Sequence, residues 1–268
     1  MSFDKELKIA LAAARKAGQL IQSAYDAFTP IPNAPASITT ETDRQSQEVI
    51  LQMLKEAFPD DALCAEESTP TLLAARRQGP RLWIVDPIDG TRGFAMKNGE
   101  FSVMIGLVEE GQIAVGVVLE PIRHRITYAS RGGGCWVQTD SGTPRACRVS
   151  ETTDLRAASL VQSHSKPGLQ SAPVRTLQPA HVLEMYSAGV KLAVVARGEG
   201  DLYVNTYTRF ADWDICAGHL LVTEAGGMVT TLAGDAIHYG RPDHAQEGGL
   251  LATNGHLHTD AVRLLKTV

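Results

Sequence analysis

The sequence predicts an α+β protein of two lobes around one continuous core, on three observations. Residues about 4–27 and 42–57 carry apolar side chains at helical spacing. Residues 101–138 fall into short apolar runs separated by turn residues. Beyond about residue 150, short strands alternate with alanine- and valine-rich helical stretches. Helices followed by neighbouring hairpin strands imply an antiparallel sheet with helices laid on it. At 268 residues the chain is long enough for two such units, placed at 1–150 (α+β, antiparallel) and 151–268 (α/β).

Taken in order, Leu7, Ala10, Leu11, Ala14, Gly18, Ile21 and Tyr25 form the apolar stripe of the first helix, which stops before the proline-rich loop Thr29–Pro35. The second helix starts near Thr42-Asp43, carries Val49, Ile50, Met53, Leu54 and Ala57 on one face, and ends at Phe58-Pro59. Ala62–Ala65 is a short apolar segment, and Trp83-Ile84-Val85 is the end of a buried strand. Phe101–Val108 and Gln112–Leu119 are strands joined by the hairpin signal Glu109-Glu110-Gly111, followed by Ile126–Ala129 and Cys135–Gln138. In the second half, Ser159–Gln162, Leu202–Val204 and Leu250–Ala252 are strands. Ser187–Arg197, Asp214–Ala225 and a stretch from about Thr259 are helices, and 234–249 is a loop.

Composition narrows the function. The hydrophobic content of 44% is that of a globular protein with a sizeable core. A net charge of -5 with a pI near 5.9 argues against a partner that is a nucleic-acid polymer or a membrane surface. No apolar run approaches membrane-span length, and the first residues lack the basic start and apolar core of a secretion signal. Cys64, Cys135, Cys147 and Cys216 have no C-x-x-C spacing and are expected to be reduced, separately buried thiols. The expected location is cytoplasmic.

The stretch Trp83-Ile84-Val85-Asp86-Pro87-Ile88-Asp89-Gly90-Thr91 concentrates the chemistry. Two carboxylates close a buried strand, with no cationic side chain until Arg92. Such a pair suits a hard divalent cation, although an acid at a strand end can also cap a helix or meet a base. Gly90-Thr91 can open a turn whose free N–H groups face an anion. Cation and anion on one turn suggest phosphate-ester chemistry. Glu66-Glu67 alone would pass for a solvated pair and Asp214 for a helix cap. All three gain weight because divalent cations draw carboxylates from separate segments.

The set Ala65-Glu66-Glu67-Ser68, Trp83–Thr91 and Trp213-Asp214-Ile215-Cys216-Ala217-Gly218, with Glu224-Ala225-Gly226-Gly227 closing the helix, resembles the inositol monophosphatase superfamily over nearly the full chain. The resemblance implies a layered αβαβα sandwich and an Mg²⁺-dependent, lithium-sensitive phosphomonoesterase binding two or three ions. It assigns Glu66, Asp86 and the Ile88 carbonyl to one ion and Asp86, Asp89 and Asp214 to a second. Asp89, Gly90 and Thr91 would bind the phosphate, and Thr91 with Asp43 would help Glu66 activate water. Most ligands thus fall in the first lobe, with the last ligand and the specificity residues in the second. The family's usual Gly before the Glu pair is Ala65 here, and Pro35-Ala36-Ser37-Ile38 replaces its lysine-bearing loop.

Substrate choice is expected to lie beyond the phosphate. Asn98-Gly99-Glu100-Phe101, Ser163-His164 and Lys191 resemble the 3'(2'),5'-bisphosphate nucleotidase branch, with Lys191 implied to meet a second phosphate or the nucleotide. Tyr207 stands where inositol-specific enzymes carry an acid; it could stack on a base or be an ordinary tyrosine. The expected substrate is a small bisphosphorylated nucleotide, followed by inositol or another sugar phosphate and histidinol phosphate. A non-catalytic phosphate-ligand binding protein on the same fold is the rival, and a monomer or homodimer is expected. Gly132-Gly133-Gly134 is read as a flexible turn and His256 and His258 as surface residues. The prolines at 30, 32 and 35 form either a rigid linker or a loop over the site.

Overall fold

The computed structural model describes residues 2–140, 142–166 and 168–266. Helix α1 (Asp4–Ala27) and helix α2 (Glu41–Ala57) pack together against a seven-stranded sheet. Its strands run in chain order: β1 (Ala62–Ala65), β2 (Arg81–Asp89), β3 (Ser102–Glu109), β4 (Gln112–Glu120), β5 (Arg125–Ser130), β6 (Gly134–Thr139) and β7 (Arg145–Ala146). Only β1 and β2 are parallel; every later neighbour is antiparallel. Short helices α3 (Pro70–Leu73) and α4 (Thr91–Ala95) flank β2 in sequence.

A second, mixed sheet has the order β12-β14-β10-β8-β9, from β8 (Ser159–Gln162), β9 (His181–Glu184), β10 (Leu202–Asn205), β12 (Met228–Thr230) and β14 (Leu250–Thr253). Strands β11 (Arg209–Ala211) and β13 (Ala245–Glu247) pair separately. Helices α6 (Ala188–Ala196) and α7 (Cys216–Glu224) lie between the two sheets, touching both, while α5 (Ala172–Leu177) and α8 (His258–Leu265) cover the outer face of the second. The order is therefore helix, sheet, helix, sheet, helix, the αβαβα sandwich, and four apolar clusters among the described residues fill its interfaces.

Both faces of the first sheet are covered, so β3 is buried from Ser102 to Val108 and shows no polar alternation. Gly106 and Gly116 pair across β3 and β4 under α7. A Cβ on Gly116 would stand 2.4 Å from the Ala217 carbonyl, so that glycine lets the helix lie directly on the sheet. Among the described residues no helix is long and apolar enough to cross a membrane.

Several local expectations need correction. Strand β2 does not end at Val85 but runs through both acids to Asp89. The helix expected from Asp214 begins at Cys216, after a 3₁₀ turn over Asp212–Asp214. The stretch 234–249 contains β13, and α5, β9, β11 and β12 went unpredicted because they are short and half-exposed, with little apolar pattern. His258 is buried, bonded to Thr230 and Thr253 hydroxyls at 3.0 Å each, so only His256 is on the surface. The Gly132–Gly134 turn is pinned: the Glu224 carboxylate accepts the Gly132 and Gly134 N–H groups at 2.8 and 2.9 Å. All four cysteines are free and buried, but Cys135 and Cys147 are neighbours, the Cys147 N–H donating to the Cys135 carbonyl at 2.8 Å.

Candidate active site

Residues three apart on a regular strand face opposite ways, so Asp86 and Asp89 would point to different sides of the sheet. A bulge removes that obstacle. Asp86 pairs with Met104 and Asp89 with Ser102, so three steps along β2 match two along β3. Pro87, which has no N–H to donate, lies within this bulge of β2. The result is one face with oxygens of Asp86, Asp89 and Asp214 all within 4.8 Å of one another. Asp214 arrives from the 3₁₀ turn, where its carboxylate accepts the Ala211 N–H at 2.6 Å. Its neighbour Asp212 is an anchor: fully buried, it takes hydrogen bonds from Gly240 N at 2.9 Å and Gln246 Nε2 at 2.6 Å.

Glu66 follows β1, parallel to β2, and so reaches the same end of the sheet. The Glu pair divides its work. Gln47 clamps the Glu67 backbone through both N–H and carbonyl, and the Glu67 side chain takes the Thr39 hydroxyl at 2.7 Å. That leaves Glu66 as the carboxylate that lines the cleft. Asp43 starts α2: one oxygen accepts the Thr40 N–H at 2.9 Å, and the other accepts the Thr91 hydroxyl at 2.9 Å. The Thr91 hydroxyl also lies 3.0 Å from the Ile88 carbonyl.

The electrostatics follow from crowding. Burial, then the charges of Asp214, Glu67, Asp43 and Asp89, push the Glu66 carboxyl up to about 8, even though it opens onto solvent in the cleft. Burial above all raises Asp214 to about 7. Asp86 lies well above the usual carboxylate range, through burial and the neighbouring acids. Burial also raises Asp43 despite its bonds to Thr40 and Thr91. Several crowded oxygens that cannot easily share charge suit a hard divalent cation, and the donor chemistry fits Mg²⁺.

Above the acids opens a cleft of about 550 Å³, the size of a small-metabolite site. Gly90 stands at its floor with φ of +88°, and a Cβ there would press on the Glu100 carbonyl at 2.8 Å. Ala36, Ser37, Ile38 and Thr39 form one rim, so the proline-rich loop borders the site. Ser163, His164, Lys191 and Tyr207 all line the cleft. Lys191 is buried there, with Nζ donating to Ser163 Oγ at 2.9 Å and to the Met185 and Tyr186 carbonyls at 3.2 and 3.0 Å. An ammonium has three protons, so this one is fully engaged inside the protein. His164 Nε2 lies 2.7 Å from Glu100 Oε2, and its ring packs against Tyr186 with centroids 4.4 Å apart and planes tilted by 45°. Tyr207 is 62% exposed at the mouth. Sequence reasoning missed Arg92, Tyr186, Tyr203, Asn205 and Phe210 on the walls. Of these only Arg92 carried a signal, its adjacency to Gly90-Thr91.

A five-layer α/β/α/β/α fold with a buried acid cluster at the base of such a cleft defines a phosphoric monoester hydrolase. The chain belongs to the inositol monophosphatase family, whose model matches residues 3–268. It is 31% identical to the histidinol-phosphatase of Mycobacterium tuberculosis over 271 residues, 99% of each chain. It is also 31% identical to the 3'(2'),5'-bisphosphate nucleotidase CysQ of Escherichia coli over 232 residues, 84% of this chain and 90% of that one. Among solved structures, the Thermotoga maritima IMPase superposes with a TM-score of 0.81 at 28% identity, covering 98% of this chain and 97% of its own. Members of the family are metal-dependent, and the aspartate cluster is a place where a metal could bind.

Proposed function

We propose that this chain is an Mg²⁺-dependent phosphomonoesterase that hydrolyses bisphosphorylated nucleotides of the 3'(2')-phosphoadenosine 5'-phosphate type. One observation carries the choice of substrate: the cleft wall beyond the acids is aromatic, formed by Tyr186, Tyr203, Tyr207 and Phe210. Aromatic rings suit a base face, whereas an inositol ring calls for carboxylates to take its hydroxyls.

Glu66, Asp86, the Ile88 carbonyl, Asp89 and Asp214 would hold the ions. Mg²⁺ bound by this set supplies charge neutralisation for the phosphate and a lowered pKa for the attacking water. The chain's own groups do the rest. Thr91 donates its hydroxyl proton to Asp43, which leaves its lone pairs free to accept from the water. Asp43, with its proton affinity raised by burial, is the final acceptor in that relay. Glu66 orients the water from the opposite side, and the Gly90-Thr91 backbone N–H groups cradle the phosphate. Attack is direct, because no Ser or Cys in a nucleophile motif adjoins the cradle.

A histidinol phosphate phosphatase is the second reading, favoured by the relative that matches over 99% of this chain. Inositol or another sugar phosphate is the third. A binding-only protein on the same fold could have lost Glu66, Asp43 or Thr91, and all are present. The test is kcat/KM with Mg²⁺ for adenosine 3',5'-bisphosphate, histidinol phosphate and inositol 1-phosphate, with and without lithium. The reading stands if the nucleotide leads by tenfold or more. A lead by either other substrate transfers the function to it, and no phosphate release at all supports the binding-only reading.

A further inference from the structure

We propose that Arg92 recognises a second phosphate of the substrate, remote from the one that is cleaved. The inference rests on the phosphatase reading above and adds a requirement to it, a substrate with two anionic groups. Arg92 follows the Gly90-Thr91 floor and lines the cleft. Its Nε is buried without a hydrogen-bond partner, and the side chain makes no ion pair among the described residues. Its visible partner is the Tyr186 ring, with the guanidinium carbon 5.1 Å from the centroid.

The other cations of the cleft are already committed. Lys191 gives its protons to Ser163, Met185 and Tyr186. His164 stands between Glu100 at 2.7 Å and Glu184 at 3.8 Å. Arg92 is therefore the cationic side chain of the described cleft wall whose donors remain available, and a buried guanidinium N–H without an acceptor is a group that a ligand satisfies. Its planar fork matches a phosphate in a way that an ammonium does not.

The platform under it is held rigid. The Tyr186 N–H donates to Glu100 at 3.3 Å, the Tyr186 carbonyl accepts from Lys191 at 3.0 Å, and the His164 ring packs on the Tyr186 ring. A stacked guanidinium on a fixed ring loses little further freedom when it binds an anion, which favours recognition. Glu100, Lys191 and His164 thus fix the Tyr186 ring on which Arg92 rests.

The experiment measures kcat/KM for two substrate pairs, adenosine 3',5'-bisphosphate against adenosine 3'-monophosphate and fructose 1,6-bisphosphate against fructose 1-phosphate. Wild type, Arg92→Gln and Arg92→Lys are compared, with thermal midpoints to verify folding. The expected result is a wild-type preference for the bisphosphate in at least one pair, lost by roughly 10–100-fold in Arg92→Gln, the scale of a charge-assisted hydrogen-bonded contact. Arg92→Lys should fall between the two, and the loss should appear in KM. A collapse confined to the sugar pair, with nucleotides inert, would keep the role of Arg92 and discard the nucleotide reading. Nucleotide hydrolysis with an unchanged bisphosphate-to-monophosphate ratio in Arg92→Gln would discard the role of Arg92 alone. No wild-type preference in either pair would also overturn it.

Discussion

Asp89 caps the helix that lies between the two sheets: its carboxylate, at the end of β2, accepts the Gly189 N–H at 2.7 Å, at the start of α6. The Ala188 N–H at 3.1 Å and the Ser187 hydroxyl complete the cap. One acid thereby joins the first sheet to the second half of the chain while keeping its place in the three-acid cluster. Asp89→Asn should lower turnover by at least about 10²–10³-fold, the cost of removing a preorganised electrostatic group. Stability should change little. The weaker cap costs about 1 kcal/mol, and relief of repulsion with Asp86 and Asp214 offsets it. Phosphate release and the thermal midpoint in chelator check both halves. Near wild-type activity would exclude Asp89 from the reaction.

Removing metal should make stability pH-dependent with a definite sign. Glu66 at about 8 and Asp214 at about 7 lie above their unfolded values, so the folded protein binds more protons. Groups raised on folding stabilise below their unfolded pKa and lose that contribution as pH climbs through the folded one. Lys191, lowered by burial to about 8, produces an opposing slope only above that value, and His219, lowered by burial to about 4, and His258, also lowered, do so only up to the ordinary histidine pKa of about 6.5. In chelator the midpoint should therefore fall between pH 6.5 and 7.5, and Mg²⁺ should abolish the fall. For a chain of this size about 1 kcal/mol corresponds to roughly 2–4 °C. A metal-free protein that gains stability over that range contradicts the assignment.

The Thr91 hydroxyl lies 2.9 Å from Asp43, and Thr91→Val removes it with little change in volume. Turnover should fall by about 10²-fold or more, the range of general acid–base assistance, with KM nearly unchanged. Asp43 keeps its bonds to Thr40, which limits the stability cost to about 1–2 kcal/mol. Thr91→Ser should restore most of the rate. If valine and serine behave alike, the hydroxyl takes no part in moving the proton.

The acid set was readable from sequence because its parts are local: apolar runs that stop at Ala65 and Val85, each followed directly by carboxylates. The layer order came through the family resemblance, and helical periodicity marked α1 and α2 on its own. What periodicity could not convey is how Asp86 and Asp89 come to share a face, since that depends on register with Met104 and Ser102. Nor does any pattern in the chain announce that Lys191 spends its protons on backbone carbonyls, or that Arg92 finds Tyr186 from a distant segment. Contacts to backbone atoms and between distant segments leave no spacing to read. Short edge elements such as β9 fail for a simpler reason: His181 and Val182 are exposed, so no buried face shaped their sequence.

Lys191 and Arg92 should separate in their variants. The family resemblance pointed to Lys191 for a second phosphate, yet its Nζ is already fully hydrogen-bonded and lies 5.1 Å from the Tyr203 ring centroid. Lys191→Met keeps the stem and removes the charge. It leaves the Ser163 hydroxyl and the Met185 and Tyr186 carbonyls without a donor and removes a positive charge near Asp89 and Asp214. The expected cost is about 1–3 kcal/mol of stability, the penalty for unsatisfied buried polar groups. Turnover should fall because the 185–187 segment that leads into the Asp89 cap loosens, and it should fall equally for bisphosphorylated and monophosphorylated substrates. Midpoints by thermal unfolding and kcat/KM for an adenosine bisphosphate–monophosphate pair provide the check. A selective loss on the bisphosphate with unchanged stability would show that Lys191 leaves its internal partners to meet the substrate directly.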